Sequence, residues 1–133
     1  MEVHQKTIRV AREDLDDLQH VNNVRYLEWI QDISREHWML KAPESLNKEV
    51  VWVVLSHHIS YKKAAFLGDE LLVKTHIASN SGVTSKRVVE IIHRERGLLV
   101  RSETDWCLLK ASTLKPMRIS DSIKELFPGA QNK

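Results

Sequence analysis

The chain has 133 residues, of which 42% are hydrophobic, and this is enough to bury the core of one domain spanning residues 1–133. Lysine and arginine total 20 and aspartate and glutamate total 18, so the formal net charge is only +2. This balance, with both signs mixed along the chain, excludes a protein that binds nucleic acid through charge alone.

The first predicted element is a strand over residues 3–12, because this run is β-rich and follows no helical period. The same N-terminal residues lack the basic and apolar regions of a secretory signal. The longest apolar run, residues 50–55, is too short to cross a bilayer. We therefore expect a cytoplasmic protein that does not insert into membranes.

A polar loop follows over residues 14–23, with several acids, a histidine and two asparagines directly before an amphipathic helix. The start of a helix offers unpaired backbone N–H groups and the positive end of its dipole, which stabilise a developing oxyanion. The chemistry of the protein is therefore predicted in this loop. Within it, Asp14 and Asp17 are expected to be solvated or to form the turn rather than to act in catalysis.

The one long helix is predicted from Asn22 or Asn23, since asparagine is a favoured N-cap. Its end is predicted at Ala42, where the following Pro43 discourages the helical conformation. Apolar and aromatic residues recur along it at helical spacing, with charged residues on the other face. The positions of the apolar face are Tyr26, Trp29, Ile30, Ile33, His37 and Leu40.

Four β-rich runs come next, at roughly residues 50–62, 69–80, 83–94 and 97–112. Their short connections predict antiparallel neighbours. A last short helix is predicted from Ser120 to Phe127, with Ser120 as its cap. The order of elements is typical of an α+β fold in which one long central helix is wrapped by a curved antiparallel sheet of about five strands.

The polar loop and the start of the long helix share a residue pattern with a known family. The pattern Asp14-x-Asp16-x-x-x-His20-x-Asn22-Asn23-x-x-Tyr26, placed between a strand and a helix, resembles the hotdog-fold thioesterases. It is most similar to the 4-hydroxybenzoyl-CoA thioesterase-like branch and to the acyl-ACP thioesterases. The tyrosine and Gly-Asp turn within residues 61–71 extend the resemblance over most of the chain.

The resemblance implies hydrolysis of an acyl thioester of coenzyme A or of acyl carrier protein, without a metal or other cofactor. It also implies a homodimer or homotetramer with active sites between subunits. Asp16 matches the catalytic acid of the family. A carboxylate near a thioester carbonyl acts either as a general base on water or as a nucleophile that forms a mixed anhydride, and the sequence leaves both routes open.

The remaining site residues follow from the same match. The backbone N–H groups of Asn23 and Val24 are predicted to form the oxyanion hole. His20 either polarises the carbonyl and orients water, or braces the loop as a structural hydrogen-bond partner. Asn22 serves as an N-cap or contacts the substrate. Three further residues are assigned to substrate binding, namely Tyr26, His58 and Tyr61.

The sequence departs from the acyl-ACP thioesterases in two places. Leu18 stands where they have an asparagine, and Ala64 and Ala65 stand where they have an acid. Both differences favour a simpler mechanism centred on the catalytic aspartate. Two alternatives remain: a non-catalytic module that binds acyl thioesters, and a hotdog enoyl-thioester hydratase, whose Asp-x-Asn-Pro-x-His motif the chain lacks.

Several other residues are expected to have structural roles rather than roles in catalysis. His57 and His58 are neighbours on a strand and point to opposite faces, so a shared metal ion is not expected. The single cysteine, Cys107, excludes an internal disulfide and is predicted to be a buried thiol. Tryptophans 29, 52 and 106 are expected in the core or at a subunit interface. Apolar residues at 51, 53 and 55 favour self-association of the sheet.

Overall fold

The computed structural model describes residues 1–133, and its elements follow the predicted order. The strands are β1 (Val3–Arg9), β2 (Val50–Tyr61), β3 (Glu70–Ser81), β4 (Thr84–His93), β5 (Gly97–Lys110) and β6 (Gln131–Asn132). The helices are α1 (Asn23–Lys41), α2 (Glu44–Glu49) and α3 (Asp121–Leu126). The α+β arrangement of one long helix against a curved antiparallel sheet is thereby confirmed.

The long helix α1 begins and ends where the sequence predicted. The Asn22 side chain accepts a hydrogen bond from the backbone N–H of Val24 and so caps the first turn. At the other end, Ala42 is extended and precedes Pro43, which cannot continue the helix. The face that carries Tyr26, Trp29 and the two isoleucines is buried against the sheet. Burial of this face, rather than helix propensity, fixes the helix in place.

The sheet has the strand order β1-β3-β4-β5-β2, and the two-residue β6 pairs in parallel with β3. The pairs β3–β4 and β4–β5 are antiparallel neighbours joined by short turns, as predicted. The prediction that β2 and β3 are neighbours is wrong. Strand β2 pairs with β5 and forms one edge of the sheet, whereas β3 lies between β1 and β4. Residues 62–69 cross between these strands, so a connection of modest length is not always a hairpin.

Three further differences concern short elements. Strand β1 ends at Arg9 rather than residue 12, because Arg12–Asp14 form a 3-10 turn. Helix α2 was not predicted, since it spans only six residues and none of them is buried. Strand β6 was also not predicted, and it depends on a neighbour far away in the chain. Helix α3 was predicted, and Ser120 caps it by accepting from Ile123 N–H.

The core consists of two hydrophobic clusters along α1. The larger cluster surrounds Tyr26, Trp29, Ile30 and Ile33 near the start of the helix, and the smaller surrounds Trp38 near its end. Helix α1 packs on β1, β3 and β4 and leaves the inner face of β2 less covered. The prediction that Cys107 is a buried thiol is confirmed. No helix in the chain combines the length and the hydrophobicity needed to cross a membrane.

Candidate active site

A cleft of about 240 Å³ lies at the N-terminal end of α1, between the polar loop and the end of β2. It brings together five residues that the sequence assigned to the site, although they come from two separate parts of the chain. The residues that line it are Asp16, His20, Val21, Asn23, Tyr26, Tyr61, Lys62, Lys63 and Ala64. The polar loop, the start of α1 and Tyr61 of β2 therefore line the same cleft.

The Asp16 carboxylate is oriented by its own loop. Its Oδ1 atom accepts hydrogen bonds from the backbone N–H groups of Leu18, at 2.9 Å, and of His20, at 3.1 Å. The Asp16 backbone N–H donates to the carbonyl oxygen of His20 at 2.7 Å. These bonds close a tight turn in which Gln19 adopts a positive φ of 63°. The second carboxylate oxygen, Oδ2, accepts no hydrogen bond from the chain, so it is available to a water molecule or a substrate.

The start of α1 offers one backbone donor to the cleft. The N–H of Asn23 has no acceptor within the chain, as expected for the first residue of a helix. In contrast, Val24 N–H donates to the Asn22 side chain at 3.0 Å, and Val24 does not line the cleft. The N–H of Asn23 is therefore available as an oxyanion donor, whereas the N–H of Val24, assigned to the same role, is already bonded to the helix cap. Asn22 acts as the helix cap, and it too lies outside the lining.

His20 is held from the side by an aromatic ring. Its imidazole meets the ring of Phe66 edge to face, with centroids 5.3 Å apart. The guanidinium of Arg96 also lies over the Phe66 ring, 5.3 Å from its centroid, and is itself paired with Asp69. Neither imidazole nitrogen of His20 bonds to the chain, so both remain available for a ligand. The arrangement braces the histidine without occupying its nitrogens.

The pairing of Asp69 is reflected in its pKa. Burial alone would raise the pKa of this carboxyl, but the hydrogen bonds from Arg96 and from the backbone N–H of Phe66 hold it below its usual range. Asp69 thus stays ionised and keeps Arg96 in position. The sequence pattern indicated only the Gly-Asp turn here and gave no sign of Arg96, which comes from the distant β4–β5 turn. No local pattern in the sequence indicates that contact.

Tyr26 ties the helix to the loop that follows β2. Its hydroxyl oxygen accepts a hydrogen bond from the backbone N–H of Ala65, which is completely buried, at 3.2 Å. Burial raises the pKa of Tyr26, so the phenol keeps its proton. The ring also lies 5.8 Å from that of Tyr61, which is half exposed at the mouth of the cleft. Of these two tyrosines, Tyr61 is the one with a surface free for a ligand.

His58 does not reach the cleft. It lies three residues before Tyr61 on the same strand, and side chains at odd spacing point to opposite faces of a sheet. Within one chain His58 therefore lies away from the cleft, and its assignment to substrate binding stays a prediction for a site between subunits. The neighbouring His57 is half-buried, and its Nδ1 is 2.8 Å from Thr104 Oγ1. No group of three His, Cys, Asp or Glu side chains is arranged to hold a metal ion.

The polar loop is anchored by an ion pair between a buried carboxylate and a partly exposed arginine, which the sequence pattern did not indicate. Asp14 is only 4% exposed, and its Oδ1 accepts from Arg25 Nε at 2.7 Å while Oδ2 accepts from the N–H of Ala11 at 2.8 Å. Asp14 was expected to be solvated or to form the turn: it does form the 3-10 turn, but it is buried rather than solvated. The pair joins the loop to the first turn of α1 and so fixes where Asp16 stands.

Comparisons with known proteins place the chain in a family. Residues 10–127 match a family model described as the thioesterase-like superfamily. The long-chain acyl-CoA thioesterase FadM of Escherichia coli strain K12 is 29% identical over 128 residues, which are 91% of this chain and 94% of FadM.

Two solved structures show the same fold. The probable thioesterase YbaW from Escherichia coli is 24% identical, with a TM-score of 0.81, and the match covers 92% of this chain and 94% of that one. A Staphylococcus aureus protein solved in complex with CoA is 18% identical, with a TM-score of 0.82. The match covers 94% of this chain and 81% of the Staphylococcus protein. At these identities the likeness concerns the fold.

Proposed function

The chain belongs to the thioesterase-like superfamily, and on that premise we propose that it hydrolyses an acyl-CoA to a carboxylic acid and coenzyme A. The observation that carries this proposal is a single cleft lined by Asp16, which has one carboxylate oxygen without a partner, and by Asn23, whose N–H has no acceptor in the chain. The match to FadM, whose name gives acyl-CoA esters as its substrates, supports the choice of substrate.

Asp16 is the residue proposed to drive the reaction, by one of two routes. As a general base it removes a proton from water while the water oxygen attacks the thioester carbonyl carbon, and collapse of the intermediate expels the thiolate. As a nucleophile it attacks the carbonyl itself, expels the thiolate and forms a mixed anhydride that water then hydrolyses. Label found in Asp16 after a single turnover in ¹⁸O-labelled water would identify the anhydride route, because only attack of water on the Asp16 carbonyl carbon of an anhydride places label there.

The negative charge that develops on the carbonyl oxygen needs donors. The N–H of Asn23 supplies one, at the positive end of the α1 dipole. His20 is proposed to polarise the carbonyl or to orient the attacking water, because its ring lines the cleft with both nitrogens free.

The mouth of the cleft fits a long polar carrier. Tyr61 exposes its ring there, and Lys62 and Lys63 follow it with exposed cationic side chains. We propose that Tyr61 packs against the pantetheine arm and that Lys62 pairs with the phosphates of coenzyme A. Lys63 is less free, since its Nζ donates to the carbonyl oxygen of Arg96 at 2.7 Å. An acyl carrier protein, which presents the same arm, is the alternative donor of the acyl group.

We also propose a homodimer or homotetramer. Strand β2 lies at an edge of the sheet and leaves Val51 and Leu55 37% and 59% exposed. Pairing of this edge with a second copy would satisfy its free backbone groups and cover these side chains. Sedimentation of the protein at working concentration tests this, and a monomer would count against a site shared between subunits.

The decisive experiment measures thiol release from short, medium, long and aromatic acyl-CoAs by the native chain and by Asp16→Asn. Loss of the general base or nucleophile should lower kcat by about a hundredfold or more. Asp17→Asn is the matched control, because this adjacent acid is exposed and does not line the cleft. Equal activity of the native chain and Asp16→Asn would refute the proposed role of Asp16. Acyl-CoA binding without turnover by the native chain would instead favour a binding module.

A further inference from the structure

A second cavity, of about 590 Å³, lies at the other end of α1, between this helix, α3 and the inner face of the sheet. It shares no lining residue with the cleft at Asp16. Its walls are mostly apolar and include Trp38, Trp52, Trp106 and Ile77. Cavities of this size and character are typical of sites for small molecules with an apolar body. Residues 50–54 of the edge strand β2 also line it, so a second copy of the chain paired at that edge would close this side of the cavity.

One wall of the cavity carries a buried cation. Arg87 is only 4% exposed, and its Nη1 donates to His37 Nδ1 at 2.9 Å and to Thr75 Oγ1 at 3.0 Å. Its guanidinium also lies 5.8 Å from the centre of the Phe127 ring. Both hydrogen-bond acceptors are neutral groups, and no carboxylate of the chain forms an ion pair with Arg87. A buried arginine is normally paired with an anion, and Arg87 lacks such a partner within the chain.

The charge on Arg87 is not removed by its surroundings. Burial lowers the pKa of Arg87 to about 9, which still leaves the guanidinium protonated at neutral pH. Burial, together with the charge of Arg87, lowers the pKa of His37 to about 4, so the imidazole is neutral and accepts through Nδ1. The carboxylate of this cluster, Glu2, lies on the far side of the imidazole, 3.6 Å from His37 Nε2. The cavity wall therefore carries an uncompensated positive charge.

The N–H groups of Arg87 that have no acceptor in the chain indicate which ligand the cavity fits. A guanidinium presents five N–H groups in a planar fork, and only Nη1 of Arg87 has acceptors in the chain. The N–H groups on Nε and Nη2 match the two oxygens of a carboxylate. Most of the remaining lining residues are apolar and match an alkyl chain, with polar side chains such as Asn80 and Ser85 between them.

We propose that this cavity binds an aliphatic carboxylate, with the carboxylate on Arg87 and the alkyl chain along the tryptophan-lined wall. The binding itself does not depend on thioester hydrolysis. Such a ligand has two possible sources: a free fatty acid, or the far end of an acyl-CoA whose chain carries a second carboxyl group. Helix α1 separates Tyr26 in the cleft from Trp38 in the cavity by about 18 Å at 1.5 Å per residue, a distance that a long chain spans.

Titration with laurate tests the proposal, with dodecanol as the uncharged ligand of matched chain length. The readout is intrinsic fluorescence, because three of the four tryptophans line the cavity. We expect laurate to bind the native chain, and Arg87→Met to bind it about tenfold more weakly or worse, since a charge-assisted bond is lost. Dodecanol should bind both proteins equally. Arg94→Met, which removes an exposed arginine outside the cavity, should leave laurate binding unchanged.

The variants are first checked by circular dichroism and urea unfolding. Arg87→Lys keeps the charge but loses the fork and should bind laurate with intermediate affinity. If Arg87→Met does not fold, the affinities of laurate and dodecanol for the native chain are compared instead. The proposal expects laurate to bind more tightly, and a ratio near one overturns it. Unchanged laurate affinity in a folded Arg87→Met also overturns it. So does the absence of any fluorescence response, as expected if a second copy of the chain fills the cavity.

A second arm identifies the source of the carboxylate. Thiol release is compared between lauroyl-CoA and the mono-CoA thioester of the dicarboxylic acid of equal chain length. A preference of the native chain for the dicarboxylic substrate that Arg87→Met loses would identify the far end of the substrate. Equal rates together with laurate binding would identify a free acid. Because laurate binding is measured without any thioester, failure of the proposed hydrolysis is distinguishable from failure of this site.

Discussion

Acidification should destabilise the fold through His37. The direction of this effect follows from the groups that surround the imidazole. In the folded chain the imidazole is 1% exposed and accepts a hydrogen bond from the cationic Arg87. The other charged or titratable groups around it are Glu2, at 3.6 Å, and His4, whose ring stacks on it at 5.6 Å. Burial first, and then the charge of Arg87, lowers the pKa of His37 from 6.5 to about 4.

The lowered pKa means that the unfolded chain binds the proton more tightly than the folded chain. The contribution of His37 to stability is therefore complete above pH 6.5 and is lost as the pH falls towards 4. At 1.36 kcal/mol per pKa unit, the loss amounts to about 2 kcal/mol at pH 5 and about 3 kcal/mol at pH 4. For a chain of this size that is a shift on the order of 1 M in the urea midpoint.

Urea unfolding between pH 7.5 and 5 measures this effect, with His37→Asn as the comparison. Asparagine places a neutral acceptor close to the position of Nδ1 but does not titrate, so it should keep the bond to Arg87 while its stability varies less with pH. The variant will be less stable at pH 7.5 because a ring is lost from the core. The informative quantity is therefore the change with pH. Equal changes in the two proteins would refute the assigned role of His37.

Three further predictions concern the candidate active site. Tyr26→Phe removes the acceptor of the buried Ala65 N–H and should cost about 1–3 kcal/mol of unfolding free energy, measured in urea. An unchanged midpoint would contradict that hydrogen bond. Asp14→Asn leaves Arg25 with the exposed Glu28 as its only anionic partner and should cost about 2 kcal/mol by the same measurement, and a neutral result would mean that the Asp14–Arg25 pair is not formed in solution. Lys62→Gln should raise KM for acyl-CoA several-fold with little change in kcat, and the KM difference should shrink in high salt. A fall in kcat alone would argue against phosphate binding.

Local patterns predicted much of the fold because their causes are local. The 3.6-residue periodicity from Tyr26 onward requires a helix with one buried face, and Asn22 and Pro43 act on the backbone of their own neighbours. The chemistry of the polar loop is also local, since Asp16 is oriented by the N–H groups of residues two and four positions later. A short stretch of sequence is therefore enough to indicate each of these features.

Contacts between distant residues could not be predicted in this way. The local pattern allowed Asp14 to be solvated or to form the turn, and the arginine that pairs with it in the buried position stands 11 residues later. Arg96 lies 27 residues after Asp69, and its effect on His20 passes through Phe66. Nothing in the one-dimensional pattern distinguishes these arginines from exposed ones.

The sequence by itself determined the order of elements, the buried face of α1 and the residues of the polar loop, because backbone propensity and periodicity act over a few positions. Only the tertiary structure decided that β2 pairs with β5, that Val24 N–H is already bonded and that His58 faces away from the cleft. It alone placed Arg87 in the wall of a second cavity. Strand pairing and the burial of a charge depend on which distant segments meet, and that is settled by packing of the whole core.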